Sequence, residues 1–491
     1  MNCHLERSER SVWLGGARHG IRASRPHRFL PLAALGVGMT LLLACATARD
    51  PGVSSAPATP WPAPASAVPP PLPKPEPSDL GTLTLPRAID LALQNNPSTR
   101  TSWLEARAAQ AVVGSRRSAY YPESDLNASY TRTRQATQGG RTIFNSTTFG
   151  PQLVLTYLLF DFGGRAAQVE EARQALISAD FTHNQQIQNV ILQTQQAYFG
   201  YLDAKALLDA QDATLKERHA SVDAADTRHK AGVATINDVL QARTALSQAQ
   251  LTYETVEQNL RVFQGTLAIV IGLPVTTKFD IGTLPTEVPI QEVSTAVESL
   301  IAQAESQRPD FAASRALVAQ ADARVREIRS QGLPTVGLNA AFNRTTFRGV
   351  ASGTASPYSI GVTMRFPFFT GWRWQNDLRA AQLNADIARE DARGFQQQVD
   401  LQVWTSYYGL STASQRVRTS RDFLSTAQQS ADVAADRYRS GVGNILDVLT
   451  AEAALETARA QEIQARTDWF VAVAQLAHDT GALEPAAETT R

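Results

Sequence analysis

Two acidic residues mark the one chemical feature that this chain states twice. Asp238 lies six residues after Gly232, and Asp447 lies six residues after Gly441. Around them the chain reads Arg228-His-Lys-Ala-Gly232-Val233-Ala-Thr-Ile236-Asn-Asp238-Val239-Leu240 and Arg437-Tyr-Arg-Ser-Gly441-Val442-Gly-Asn-Ile445-Leu-Asp447-Val448-Leu449, an offset of 209 residues. The match runs on through Ala242, Ala245, Leu246 and Ala249 against Ala451, Ala454, Leu455 and Ala458. An acid just past a turn glycine sits at a helix start, where the dipole favours it by roughly a few tenths of a kcal/mol. Reactive chemistry needs more than that. Outside the leader the histidines are His183, His219, His229 and His478, which have no metal-ligand spacing. No phosphate loop, nucleophile elbow or paired-carboxylate constellation occurs, and Gly163-Gly164 lacks the third glycine and the lysine of a phosphate loop. Cys3 and Cys45 are too few for a disulfide framework or a zinc site. The chain is expected to be no enzyme and to hold no cofactor or metal.

The elements that position the two aspartates are helices of unusual length. Gly232 and Gly441 each separate two long helical patterns, so the chain carries two equivalent hairpins and reads as a duplicated half-molecule. No proline occurs between Pro151 and Pro274, nor between Pro367 and Pro485. Gly163-Gly164 and Gly371 open helices of more than sixty residues, on the order of 100 Å at a rise of about 1.5 Å per residue. Ile187, Val190, Ile191, Thr194, Tyr198, Tyr201, Leu202, Lys205 and Leu208 keep a three/four spacing, the mark of a coiled-coil seam. Flanks rich in Ala, Gln, Asn and Thr suit packing on two sides with a third face wet, as in the wall of a tube.

Ahead of each hairpin stands a helix and a strand pair. Leu85-Pro86 starts a helix that Asn95-Asn96-Pro97 interrupts, and Arg308-Pro309 repeats that break in the second half. Leu126, Ala128 and Tyr130 alternate with polar residues, and Leu153, Leu155, Tyr157 and Leu159 alternate with Gln152, Val154, Thr156 and Leu158. The second half gives Val336, Leu338, Ala340 and Phe342, then Tyr358, Ile360, Val362, Met364 and Phe366. Period two with one apolar face marks half-buried strands, and strands of about ten residues also suit a transmembrane barrel. A soluble sheet packed on helices is the alternative. Aromatic residues gather where strands meet helices: Tyr120, Tyr121, Phe160 and Phe162, then Phe368, Phe369, Trp372 and Trp374. They read as an interfacial girdle. Four strands cannot close a barrel, and an open edge in hydrocarbon leaves backbone groups unpaired. A membrane sheet of this kind must therefore be completed by further copies of the chain.

The chain's start reads as an export signal. Arg18, Arg22, Arg25 and Arg28 precede an apolar run from Phe29 to Ala44 whose one polar residue is Thr40. That is short for a membrane span and right for a secretory leader. Leu42-Leu43-Ala44-Cys45 is similar to a lipobox, making Cys45 the expected lipidated residue; cleavage after Ala46 or Ala48 is the alternative. Eleven prolines between Pro51 and Pro77 favour an extended tether. With 43% hydrophobic and 19% charged residues the chain belongs among folded proteins, and zero net charge gives no reason to expect nucleic acid as a partner.

Taken together, the two Gly…Ile-x-Asp-Val-Leu-x-Ala tips, the strand-ending Phe160-Asp161-Phe162-Gly163-Gly164-Arg165 and the duplication resemble the TolC-type outer membrane efflux proteins over roughly residues 83 to 484. The resemblance implies a mainly α fold with a transmembrane β-barrel: a homotrimer in which a twelve-stranded barrel continues into a long α-helical tunnel in the periplasm. It implies a passive outer membrane channel of a Gram-negative tripartite efflux or secretion system, lipid-anchored in some members. Its partners would be outer membrane lipid, a periplasmic adaptor and an inner-membrane transporter. The other reading of the sequence is an exported coiled-coil scaffold without a pore.

By motif position Asp447 matches the first of two entrance aspartates, and Thr450 falls where the second would stand. Tyr438 matches a constraining tyrosine, Asp238 matches its partner aspartate, and Gly443 replaces an arginine. The expected organisation is a leader at 1–45, a tether at 46–82, repeats at 83–290 and 291–484, and a tail at 485–491. Strands are expected at about 124–134, 149–160, 334–345 and 357–368, and hairpins at about 163–271 and 371–480.

Overall fold

The computed structural model describes residues 80–137, 142–289, 296–349 and 352–483. The leader, Cys45, most of the tether and the tail at 485–491 lie outside the described residues, as does the expected boundary near residue 290. In chain order the elements are β1 (Thr82–Leu83), α1 (Leu85–Asn95), α2 (Pro97–Arg117), β2 (Glu123–Thr137), β3 (Thr142–Phe160), α3 (Gly164–Lys230) and α4 (Ile236–Val270). Then come β4 (Asp280–Ile281), α5 (Val297–Gln307), α6 (Pro309–Ser330), β5 (Thr335–Asn343), β6 (Thr345–Gly349), β7 (Gly353–Ala355), β8 (Tyr358–Arg365), α7 (Arg373–Arg439) and α8 (Ile445–Asp479). The fold is mainly helical. Among the described residues no helix is long and apolar enough to cross a membrane.

The long helices α3 and α7 each run 67 residues. The seam of α3 packs on two short strands as well as on its neighbouring helices α4 and α8. Val190, Tyr198, Tyr201 and Leu202 are buried against Leu83 of β1, Ile281 of β4, and Leu267 and Ile271 of α4 and its end, and Ile191 is buried as well. Lys205, on the same face, pairs with Asp280 at 2.7 Å and donates to the Ile281 carbonyl at 2.8 Å. A two-stranded parallel patch, β1 with β4, thus straps the waist of the molecule.

The other six strands form one antiparallel sheet. β3 pairs β2 from Glu123↔Thr156 to Thr137↔Thr142, and pairs β5 from Phe160↔Val336 to Gln152↔Asn343. β5 pairs β8 on its other side. Beyond Asn343 the same path resumes in unchanged register as β6, with Phe149↔Thr346, and β7 continues the path of β8. The break has a chemical cause. Arg344 donates its N–H to Pro151 O at 3.0 Å and Asn343 donates to Pro357 O at 2.9 Å. An antiparallel pair of this type exchanges two hydrogen bonds, and neither proline has an N–H to return.

The register places Leu126, Leu153, Phe342 and Tyr358 in one row on one face, with Ser124, Leu155, Ala340 and Ile360 in the next. The other face carries Asn127, Gln152 and Asn343, and Glu123, Thr156 and Asn339. The outer strands β2 and β8 each have one unpaired edge among the described residues.

Strand turns into helix by the same path in both halves. Phe162 and Gly163 have φ of 50° and 89°, and Gly371 and Trp372, 209 residues on, have 64° and 65°. Two successive left-handed residues are needed, and each half places its glycine at only one of them. The aromatic at the other position carries backbone strain of about 1–3 kcal/mol. Asp161 accepts the Arg165 N–H at 2.5 Å, and Thr370 accepts the Trp374 N–H at 3.3 Å. The Arg165 guanidinium reaches Ala119 O at 3.4 Å, while the Trp374 indole reaches the equivalent Ile328 O at 2.9 Å. Unlike side chains fill one donor role.

The candidate gate at the hairpin tips

Each tip is closed by its glycine. Gly232 and Gly441 have φ of 74° and 81°, the left-handed conformation that terminates helices at least cost in glycine. Val233 N–H returns to Arg228 O at 3.0 Å and Val442 N–H to Arg437 O at 3.1 Å. Thr235 then caps α4, and Asn444 caps α8 by accepting the Leu446 N–H at 3.0 Å. Gly443 is required for a different reason: a Cβ there would lie 2.9 Å from Tyr438 N and 3.0 Å from the Arg437 carbonyl carbon. No side chain, arginine included, fits that position in this backbone.

The two tips share a small core. Ala225, Val239 and Ala242 of the first hairpin pack with Tyr438, Ile445 and Val448 of the second. The repeat is not symmetric in its surroundings: Ile445 is 1% exposed, whereas its counterpart Ile236 is 56% exposed.

Tyr438 is the hub, and Arg228 holds it. The Arg228 guanidinium stacks 4.7 Å from the ring centroid and donates to Tyr438 O at 2.7 Å. The tyrosine hydroxyl is buried and has no hydrogen-bond partner. Burial pushes its pKa up; Arg228 opposes that, and Asp238 adds to it. Asp238 is near Tyr438 yet committed elsewhere: its carboxylate accepts Thr235 N–H at 3.2 Å and Thr235 Oγ1–H at 2.9 Å, a capping box. Asp447 is exposed and makes no ion pair or side-chain hydrogen bond among the described residues. Thr450, also exposed, donates to Leu446 O at 2.7 Å on its own helix.

Above the tips, α3 and α8 are joined by charges that the sequence reading did not single out. Arg218 and Glu452, both buried, pair at 2.7 Å, and Ser221 donates to Glu452 at 2.6 Å. Glu456 lies 3.5 Å from Arg218. Arg459 grips Glu217 through two bonds of 3.0 and 2.8 Å. Burial raises the Glu452 pKa against the opposing pull of Ser221 and Arg218. Arg228 had a sequence signal, since it opens the repeated motif; Arg218 and Glu452, 234 residues apart, had none.

At the far end, Tyr121, Phe160, Phe162, Phe368, Phe369 and Trp372 are exposed, and Tyr120 is exposed beneath the Arg165 guanidinium. Trp374 departs from the expected girdle. It is half-buried, its N–H is spent on Ile328 O, and its indole covers Gly332, where a Cβ would sit 2.2 Å from the ring. Among the described residues no group of histidines, cysteines and acids could hold a metal ion.

A family model for outer membrane efflux proteins matches residues 88–273 and 300–482. The chain belongs to that family. The protein CyaE of Bordetella pertussis is 28% identical over 391 residues, 78% of this chain and 81% of that protein. The outer membrane protein TolC of Escherichia coli is 25% identical over 391 residues, covering 77% and 78%. In three dimensions the CmeC outer membrane channel of Campylobacter jejuni superposes with a TM-score of 0.73 at 19% identity, over 82% of this chain and 86% of that one. The protein is thus a TolC-type efflux channel of the Gram-negative outer membrane. The family forms channels rather than enzymes, and its members work as homotrimers with adaptors and inner-membrane pumps.

Proposed function

We propose that three copies of this chain join β8 of one to β2 of the next, closing a twelve-stranded barrel that the long helices continue as a periplasmic duct. The observation that carries this reading is the sheet: one face that is largely apolar from the strand–helix junction up to the row of Leu126 and Leu153, and two unpaired edges. An open edge in hydrocarbon costs several kcal/mol per unpaired group, so the edges need partners of the same kind. Substrates delivered by an inner-membrane pump and a periplasmic adaptor leave passively through this duct. The repeats at about 83–290 and 291–484 supply alternate walls of the tube, and the exposed aromatics at the strand ends sit at the periplasmic membrane interface.

The duct closes at the hairpin tips. Arg228 and Tyr438 hold the two hairpins of one copy together, and Asp447, exposed and unpaired, lines the entrance with its equivalents from the other copies. Three like charges in a narrow entrance favour cations. Cys45 adds a lipid anchor that the barrel itself does not need.

The test is assembly and conduction together. Detergent-extracted protein should be trimeric and heat-modifiable on gels, and cation-selective in planar bilayers. Val362→Arg, on the apolar face of β8, should cost about 2–4 kcal/mol near mid-membrane and deplete the trimer. A water-soluble monomer without conductance would favour the scaffold reading instead.

A further inference from the structure

The apolar face of the sheet changes character abruptly towards its distal end. The even-numbered residues of β2 and the residues paired with them lie on this face. Past the row Leu126–Leu153–Phe342–Tyr358 the outward positions become Ala128, Pro151 and Arg344, then Tyr130, Phe149 and Thr346, then Arg132, Thr147 and Arg348, and finally Arg134 with Asn145. Four arginines, Arg132, Arg134, Arg344 and Arg348, therefore share the outward face, and all four are exposed. The strands put no aspartate or glutamate on this face; Glu123 and Asp125 lie on the other. None of the four guanidinium groups has an ion-pair partner among the described residues, and Arg348 rests 5.4 Å from the Phe149 ring centroid.

Their height is as informative as their charge. From Phe160, in the aromatic cluster at the strand–helix junction, β3 runs nine residues back to Pro151, beside Arg344. That is about 30 Å along the strand, or about 23 Å along the membrane normal at a tilt of about 40°. An outer-membrane barrel has an apolar band of about 25 Å. Arg344 therefore stands at the far boundary of that band, and Arg132, Arg134 and Arg348 stand just beyond it. Tyr130 and Phe149 lie between, where a second interfacial aromatic row belongs. Arg132 and Arg348 flank Thr147 in one row, so their backbones are about 10 Å apart across two strand spacings.

We propose that these four arginines form a collar that binds the phosphate groups of lipid in the outer leaflet of the membrane. The occupant follows from the geometry. A guanidinium fork suits phosphate oxygens in two-point contact, the face carries no competing acid, and the groups sit at headgroup depth beside a hydrocarbon-facing surface. A free anion would not need the apolar rows directly below. In a trimer the collar repeats around the whole circumference. The proposal rests on the barrel reading above.

The test uses purified full-length protein in detergent, with trimer content measured first so that a failed barrel is recognised as such. Bisphosphorylated lipid A, its dephosphorylated form and inorganic phosphate are titrated separately, with native mass spectrometry and thermal stability as readouts. The bisphosphorylated lipid should bind more tightly than its dephosphorylated form, by roughly fivefold per arginine engaged, and its binding should weaken with salt. Combining Arg132→Gln, Arg134→Gln, Arg344→Gln and Arg348→Gln should abolish the preference in a trimer that still forms. Should that variant fail to assemble, the pair Arg132→Gln and Arg348→Gln should still reduce it by about 25-fold. Arg365→Gln, on the opposite face, should leave it unchanged. Equal binding of both lipids, an unaffected collar variant, or displacement by inorganic phosphate at the lipid's own concentration would each overturn the proposal.

Discussion

Arg228 holds Tyr438 by its ring and its backbone carbonyl, and leaves the hydroxyl without a partner. This divides the contact differently from what the tyrosine alone suggests. Phenylalanine keeps the ring face and the carbonyl while removing a buried, unsatisfied hydroxyl. Tyr438→Phe should therefore leave the closed channel intact and its melting temperature unchanged or slightly higher. Arg228→Ala removes both a cation–π contact and a charged hydrogen bond, together about 2–4 kcal/mol, and should raise single-channel conductance. Planar-bilayer recordings of the two variants side by side decide it; a leaky Tyr438→Phe channel would place the latch on the hydroxyl.

The pair Arg218–Glu452 lies between the hairpins, with Glu217, Glu456 and Ser221 facing it. Arg218→Met leaves a buried carboxylate without its cation and should destabilise by about 3–5 kcal/mol, whereas the double Arg218→Met, Glu452→Met should lose much less. Burial holds the Glu452 pKa above the ordinary carboxylate value. The folded state thus binds this proton more tightly than the unfolded chain does. The stability Glu452 contributes is fully present below the ordinary carboxylate value and is lost as pH rises through the raised one. Glu452→Gln should flatten the melting temperature across that window, a result read from thermal denaturation at a series of pH values.

Asp238 and Asp447 occupy the same repeat position and should behave differently. Asp238→Ala breaks the capping box with Thr235 and should cost about 1 kcal/mol without altering ion selectivity. Asp447→Asn should weaken cation selectivity and block by multivalent cations, with little change in stability, because its carboxylate holds nothing in place. Reversal potentials in a salt gradient separate the two outcomes.

Labelled palmitate should enter the wild-type protein and be lost in Cys45→Ser, while that variant still fractionates with outer membranes through its barrel. Label retained in Cys45→Ser would move the modification elsewhere.

The sequence was most informative where structure follows from the chain's own neighbours. The alternation through Leu153, Leu155 and Tyr157 lies on β3, and the turn glycines lie where the long helices end. It said less where a partner strand decides. The residues from Thr142 to Thr148 show no clear period, yet their pairing with β2 keeps them extended. β8 ends at Arg365, before Pro367, although the apolar alternation runs on to Phe366. The site was legible as positions and not as contacts. Tyr438 and Asp238 are named by the motif, but Arg228 meets Tyr438 across 210 residues, and no local pattern encodes such a meeting.

The two prolines beside the β5–β6 break have a consequence for how the outside of the protein can change. Pro151 and Pro357 leave the carbonyls of Arg344 and Asn343 unanswered at the same level of the sheet. The β2–β3 ladder passes that level without interruption. The tip formed by β6 and β7 is therefore fastened separately to a continuous mast, rather than being the end of one long zipper. Fraying at that tip is expected to stop at the prolines. Loop lengthening, shortening or replacement there should leave the register of Phe342, Ala340 and Leu338 undisturbed, because each of the two rungs that would transmit a shift keeps only one of its two hydrogen bonds. The sequence of that tip can be exchanged while the sheet beneath it stays in place.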